Sequence, residues 1–313
     1  MLRIQSKEVT LEDFVGQGDA KRIIQMLIDD MPTDGLIPHL LFIGDAGSGK
    51  TTMTKAIQNT IGQIKVVKLL NLPTGSMITD PDVLKLYLAR TGNTPTIIFI
   101  DEVHDMKRQV QEVLYEPMDS RMITTFQRTF FTLKLPPITI IAATTEPGKI
   151  LQPFSTRFTH IMFKPYSVEE IAEILSKIQI NGGEVEDGGL LAIAERSKLN
   201  PRLSLTNLKH VVTFCNQYSL ETITRGIAER ALDLWGVDDL GFTTIDWQYL
   251  NYLYETVEPQ GIQNIAGMLS IDKKYIETYV EPYLLTTGIV IRGRSGRRLT
   301  PYGARIISER LEQ

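Results

Sequence analysis

The chain has 313 residues, 42% of them hydrophobic and 22% charged, with a mean hydropathy of −0.05; that is enough for two or three domains with a sizeable core, and it excludes a miniature scaffold and wholesale disorder. A single cysteine, Cys215, excludes an intrachain disulfide, and 33 basic against 37 acidic side chains give a net charge of −4, so there is no overall positive field and any nucleic-acid contact must come from a local patch. No apolar run is long enough to cross a bilayer and the first residues lack a signal-peptide core, so no membrane is expected and the expected location is the cytoplasm.

Residues 39–43, 96–100 and 138–143 are short, apolar and bounded by turn residues, as buried strands of a parallel sheet are. Between them lie helical stretches such as Val110, Val113 and Leu114 at i, i+3 and i+4, with Pro117 expected to end that helix. Strands alternating with helices predict an α/β layer fold. From about Ser167 the character changes: 168–180, 190–197, 202–219 and 224–237 all read at helical period, which predicts a small all-helical domain. After Gly241 come three compact helices, at 246–257, 261–270 and 272–288, and then a hairpin pattern centred on Arg294-Ser295-Gly296. Three helices and a hairpin outline a winged helix. The expected domains are thus 1–166, 167–240 and 241–313.

Gly44-Asp45-Ala46-Gly47-Ser48-Gly49-Lys50-Thr51 matches the P-loop pattern G-x-x-x-x-G-K-[ST], and it follows a predicted strand and opens a predicted helix. The bare pattern arises by chance in about one chain in a hundred of this length, and the strand-loop-helix setting makes coincidence rarer. Backbone amides would wrap a phosphate at the helix N-terminus, Lys50 would reach the β and γ oxygens, and the Thr51 hydroxyl would bind Mg²⁺. Gly44, Gly47, Ser48, Gly49, Lys50, Thr51 and Thr52 are the expected ATP-binding set. Roughly fifty residues on, the strand at 96–100 delivers Asp101 and Glu102. Asp101 would hold Mg²⁺ and Glu102 would orient the attacking water. His104 could couple this site to DNA or cap and pack, and it is read as a capping and packing residue. Thr144 and Thr145, at the end of a third apolar strand, would place a hydroxyl beside the γ-phosphate.

With these residues, the Leu-Pro-Pro segment at 135–137, Arg157-Phe158, Asn200-Pro201-Arg202 and Glu281-Pro282-Tyr283-Leu284 in view, the chain resembles the RuvB-type Holliday-junction branch-migration motors of the AAA+ ATPases, from Phe14 to the C-terminus. The resemblance implies an AAA+ P-loop domain, a helical lid and a C-terminal winged-helix domain. It implies a ring, hexameric in this family, that hydrolyses ATP to pull duplex DNA through a junction held by a RuvA-like partner. Residue by residue it makes Thr144 or Thr145 sensor 1, Arg157 the arginine finger given to a neighbouring subunit, and Arg202 the sensor-2 arginine. Phe14, Val15, Tyr166 and Pro201 fall where the adenine pocket is expected. A finger offered across a subunit boundary ties hydrolysis to assembly.

Three departures stand out. The family's Pro-Pro-Gly is Asp45-Ala46-Gly47 here, the first arginine of the finger segment is Ser155, and 118–136, the family's partner-docking hairpin, is shorter and divergent. From Val290 onward there are six arginines against two acids; Arg292, Arg294, Arg297 and Arg298, on the predicted wing, are the expected DNA contacts, gripping phosphates without reading bases. Tyr275, Tyr279 and Tyr283 read as a core stripe, and Trp235, Trp247 and Cys215 as packing residues. Two other functions compete with the motor: an AAA+ loader that remodels a protein on DNA, and a nucleotide-dependent DNA-binding switch with little turnover.

Overall fold

The runs that are apolar without interruption build the centre of one parallel sheet. The computed structural model describes residues 1–5, 8–127, 129–256 and 258–312. The chain divides into two compact units, Lys7–Tyr166 and Met1–Ser6 with Ser167–Gln313.

In the first unit the strands are β1 (Leu40–Ile43), β2 (Lys68–Asn71), β3 (Thr96–Ile100), β4 (Met122–Gln127), β5 (Thr129–Lys134), β6 (Ile138–Thr144) and β7 (Thr159–Met162). Five of them form a parallel sheet in the order β2-β3-β6-β1-β7, while β4 and β5 pair as a separate antiparallel hairpin. Successive residues of the three inner strands point to opposite faces. Leu40, Phe42, Ile97, Phe99 and Ile141 pack with α1 (Gly18–Asp29) and with Met53, Ile57 and Ile61 of α2 (Lys50–Gly62). Leu41, Ile98, Ile100 and Ile140 pack with Leu84 and Leu88 of α3 (Pro81–Ala89) and Val110 of α4 (Arg108–Val113). Because helices cover both faces, these strands carry no polar alternation. Pro117 does not end a helix. It sits in the first turn of α5 (Tyr115–Ser120), where its missing N–H has no intrahelical partner to lose. A short α6 (Gln152–Ser155) precedes β7.

The second unit contains the N-terminus, which corrects the placement of the first residues in the P-loop domain. Arg3–Gln5 pairs antiparallel with Gln179–Asn181, and the Asn216 amide accepts from Leu2 N–H at 2.6 Å and donates to its carbonyl at 3.0 Å. Helices α7 (Val168–Ser176), α8 (Asp187–Glu195), α9 (Pro201–Gln217) and α10 (Arg225–Leu234) follow, then α11 (Thr244–Glu255) and α12 (Ile262–Leu269). Next, α13 (Lys273–Tyr275) runs through a π-helical turn, Ile276–Val280, into α14 (Glu281–Thr286). The hairpin β8 (Val290–Gly293) with β9 (Gly296–Leu299) and then α15 (Pro301–Leu311) complete a winged helix. Tyr249, Leu250, Ile265, Ile276, Leu284 and Ile307 form its core. Gln260 bonds both ways to the Arg297 backbone at 2.8 Å, so close to the wing that a Cβ at Gly296 would meet the Gln260 carbonyl oxygen at 2.5 Å.

Charges join the helical part to the winged helix. The Lys198 ammonium is 2.5 Å from Asp246 Oδ2, with both side chains buried, and Asp246 also accepts from the Thr243 N–H and hydroxyl at 2.7 Å. Asp238 accepts from the Trp247 indole at 2.5 Å and pairs with Arg310 at 3.2 Å. Removing one member of a buried pair strands the other charge. Asp246→Ala is therefore expected to lower the stability of this unit by about 3 kcal/mol or more in urea unfolding followed by tryptophan fluorescence; a loss under about 1 kcal/mol, the value of an exposed pair, would contradict it.

Candidate functional site

The P-loop leaves β1 and turns back through two glycines in the left-handed region, Gly47 at φ 83° and Gly49 at φ 93°. No side chain caps α2 at Gly49, and the loop lies at this helix N-terminus, where anion sites form. Ser48 Oγ is buried without a hydrogen-bond partner. Lys50 is buried, and its ammonium donates to the carbonyls of Gly44 at 2.7 Å and Asp45 at 2.8 Å. Thr51 and Thr52 follow in the first turn of α2, Thr51 half-buried. Phosphate chemistry fits this cradle: a helix N-terminus, an ammonium and an orphaned hydroxyl. The Thr51 hydroxyl and the half-buried Asp101 carboxylate are hard oxygen donors, the type magnesium takes. Asp45 is exposed, and its carbonyl serves Lys50.

The loop is also held from outside. The Tyr166 hydroxyl donates to the Ser48 carbonyl at 3.1 Å. A Cβ at Gly49 would lie 3.1 Å from that hydroxyl oxygen and 3.2 Å from the Phe14 ring. Phe14, Val15 and Tyr166 are all buried. Of the expected adenine-pocket residues, the structure thus brings Phe14 and Tyr166 to the P-loop. Pro201 and Arg202 open α9 in the second unit, where Asn200 Oδ1 accepts from the Arg202 N–H at 2.9 Å.

Asp101 and Glu102 follow β3, two strands from the P-loop across β6. Glu102 sits at φ 48°, ψ 48°, a left-handed conformation that costs a non-glycine residue about 1 kcal/mol or more and recurs at functional sites. The Thr145 hydroxyl donates to Glu102 Oε2 at 3.3 Å. Thr144, fully buried, accepts from the Glu146 N–H at 2.9 Å. His104, assigned to packing by the sequence, lies with Nδ1 3.0 Å from Thr144 Oγ1 and 3.2 Å from Glu102 Oε2. The hydrogen-bonding outlet of the Asp-Glu-Val-His run is thus the residue that the sequence assigned to capping and packing.

Arg157 follows α6 and is held within its own unit. Nε donates to Asp119 Oδ1 at 2.9 Å, Nη2 to Oδ2 at 2.7 Å and Nη1 to the Pro153 carbonyl at 2.6 Å. The guanidinium lies 4.4 Å from the centre of the Tyr115 ring. This hydrogen bonding holds the Asp119 carboxyl below the usual range. Asp119 and Tyr115 had no signal in the sequence. Ser155 shares a hydrogen bond with His160 Nε2 at 3.1 Å.

On the wing, Arg292, Arg294 and Arg298 are exposed, but Arg297 is not, which corrects its assignment to DNA. Its Nε donates to Glu281 Oε1 at 2.8 Å and its Nη2 to Glu281 Oε2 at 3.2 Å and Glu277 Oε1 at 3.1 Å. The Tyr249 hydroxyl donates to the same Glu281 Oε1 at 3.0 Å, and burial, with Glu281 beside it, pushes that phenol up. The tyrosine stripe is likewise only partly core: Tyr275 and Tyr279 are exposed with their rings 5.0 Å apart, while Ile276, Val280 and Leu284 face inward. Lys273 and Lys274 are exposed on the same helix. Trp235 is half exposed and stacks on His210 at 4.0 Å; Cys215 is buried, as expected.

Residues 7–163 match the family model of the Holliday junction DNA helicase RuvB P-loop domain, and 239–308 that of the RuvB C-terminal winged helix domain. The chain is 32% identical over 307 residues to the Holliday junction branch migration complex subunit RuvB of Wolbachia sp. subsp. Brugia malayi, covering 95% of this chain and 92% of that one. It is 33% identical over 295 residues to the subunit of the same name from Campylobacter lari, covering 91% and 86%. Among solved structures, the Thermotoga maritima RuvB Holliday junction branch migration motor superposes with a TM-score of 0.80 at 24% identity, covering 96% of this chain and 97% of that one. The Aeropyrum pernix ORC2 protein superposes at 0.58 and 12% identity, covering 95% and 94%.

Arg297→Ala leaves Glu281 buried without its cation and is expected to lower winged-helix stability by about 3 kcal/mol in thermal unfolding. Arg298→Ala is expected to leave stability unchanged, to weaken DNA binding for all sequences alike and to reduce the salt slope by about one. Equal effects of the two substitutions on stability would contradict the division of roles.

Proposed function

The chain belongs to the RuvB family, and from that premise we propose that it is an ATP-hydrolysing motor that drives branch migration of Holliday junctions in DNA recombination and repair. The observation that carries this reading is the meeting of three strand ends on one sheet edge. Gly44–Thr51 follows β1, Asp101-Glu102 follows β3, and Thr144 ends β6 with Thr145 just after it, in a chain that also carries the family's winged helix. Open parallel sheets bind ligands at this edge.

ATP is bound through the P-loop amides and Lys50, with Phe14, Val15 and Tyr166 on the adenine side. Thr51 and Asp101 would hold Mg²⁺, which when bound neutralises phosphate charge. Glu102 orients the attacking water, and Thr144, with Thr145 on Glu102, reports the terminal phosphate. Phosphoryl transfer needs positioning and charge stabilisation more than covalent help, and these residues supply both. The roles of Pro201 and Arg202 at the nucleotide rest on the family resemblance. Arg157 completes the site of a neighbouring copy, which makes assembly into a ring, six copies in our reading, a condition of turnover. Arg292, Arg294 and Arg298 grip phosphates of branched or duplex DNA. The three working parts are the P-loop domain to 166, the helical lid at 167–240 and the winged helix from 241. The β4–β5 hairpin, which presents Phe131 to solvent, is the place for a RuvA-like junction-binding partner. Such a motor works in the cytoplasm, and among the described residues no helix is long and apolar enough to cross a membrane.

The test is strand exchange on a synthetic four-way junction, with and without a RuvA-like protein. ATP-dependent exchange that Lys50→Ala abolishes is the expected result; DNA-stimulated hydrolysis without exchange would favour a loader, and no hydrolysis dependent on Glu102 would favour a passive switch. Arg157→Ala is expected to lower hydrolysis about 10³-fold while ATP binding stays nearly unchanged. A large loss of binding would remove Arg157 from the finger role.

A further inference from the structure

A packing histidine needs no acceptors, yet His104 has them on both ring nitrogens. Its side chain is 5% exposed. Nδ1 reaches Thr144 Oγ1 at 3.0 Å and Glu102 Oε2 at 3.2 Å. Nε2 reaches Glu146 Oε1 at 3.3 Å and Asp105 Oδ1 at 3.5 Å. The ring therefore joins the end of β3 to the end of β6. Glu102 Oε2 is held from two sides, by Nδ1 and by the Thr145 hydroxyl, whereas no hydrogen bond or ion pair within the protein engages Oε1 among the described residues.

We infer that His104 is a positioning residue for ATP hydrolysis: it clamps one oxygen of Glu102 so that the other faces the attacking water, and it makes that clamp depend on Thr144. The inference rests on the roles given above to Glu102 and Thr144. Nδ1 carries at most one hydrogen, and Glu102 Oε2 and Thr144 Oγ1 compete for it. When the Thr144 hydroxyl turns to a phosphate oxygen, the Nδ1–H is left to Glu102 and the carboxylate is held. When no phosphate is there, the Thr144 hydroxyl can donate to Nδ1. In that tautomer the Nε2–H faces Glu146 and Asp105, and Glu102 Oε2 faces the Nδ1 lone pair. The His104 side of the hold on Glu102 thus follows where the Thr144 hydroxyl points, while the Thr145 hydroxyl holds the same oxygen from the other side.

The experiment compares steady-state hydrolysis and ATP affinity in His104→Asn, His104→Gln, His104→Leu and Glu102→Gln. An asparagine amide sits near the position of Nδ1, and a glutamine amide near that of Nε2. His104→Leu and His104→Gln are expected to lose about 100-fold in kcat, the scale of a misplaced reacting group, with ATP affinity changed by less than about twofold. His104→Asn is expected to recover to within about tenfold of the parent. Thr144→Val combined with His104→Leu is expected to cost little more than the worse single change, because the two act as one unit. Parental kcat in His104→Leu, affinity falling in step with kcat, or rescue by Gln equal to that by Asn would each overturn the inference. Should His104→Leu fail to fold, the Asn and Gln variants decide alone. Full turnover in Glu102→Gln would instead overturn the reading of Glu102, an outcome distinct from a needed Glu102 beside a dispensable His104.

Discussion

A parallel sheet covered on both faces sends the C-terminal ends of all its strands to one edge, and the chemistry of this chain depends on that constraint. The neighbours β3, β6 and β1 end within a residue or two of one another: Ile100 pairs with Ala142, and Ile43 with Thr144. The first residue beyond β1 is already tied to β6, since the Gly44 N–H donates to the Thr144 carbonyl at 3.2 Å. The carboxylates, the hydroxyls and the phosphate loop are therefore fixed by sheet register. A core substitution that shifted β6 by one residue would exchange its two faces and take Thr144 away from His104 with it.

What could be read from the sequence divides along the same line. Strands buried on both faces announce themselves, so β1, β3 and β6 are legible. The edge strands are not, because β2 and β7 are half exposed and look like ordinary polar chain. The P-loop is legible because every part of it is local, from the strand to the glycines to Lys50. His104 is not, since its partners Thr144 and Glu146 lie some forty residues on and only the sheet brings them to the ring. Arg297 failed for the same reason. On a wing, alternate residues face opposite ways, but which arginine turns inward is decided by Glu281, sixteen residues away. Residues 1–5 were assigned to the P-loop domain by proximity in sequence, whereas Gln179–Asn181 supplied the pairing edge for Arg3–Gln5.

The departures from the family pattern are accommodated locally. A carboxylate turned into the P-loop would oppose the phosphate it has to hold; the Asp45 side chain is exposed and only its carbonyl faces Lys50. In the finger segment the hydroxyl at Ser155 bonds His160, which leaves Arg157 as the one guanidinium between 150 and 160. In the proposed finger role, the charge then comes from a single side chain with five N–H donors. Donors on Nε, Nη1 and Nη2 are already engaged within its own unit.

That engagement makes α5 the element on which two surfaces meet. Its Asp119 and Tyr115 hold the Arg157 guanidinium from the edge and from the face. Its Glu116 accepts from the Thr124 N–H at 2.9 Å and the Thr124 hydroxyl at 2.6 Å, anchoring the β4–β5 hairpin. Six residues thus carry the seat of the arginine at one side and the root of the hairpin at the other. A rigid-body movement of α5 cannot change one without the other, because a side chain on a single short helix has no independent backbone on which to move. The arginine is poised by geometry that also fixes the hairpin.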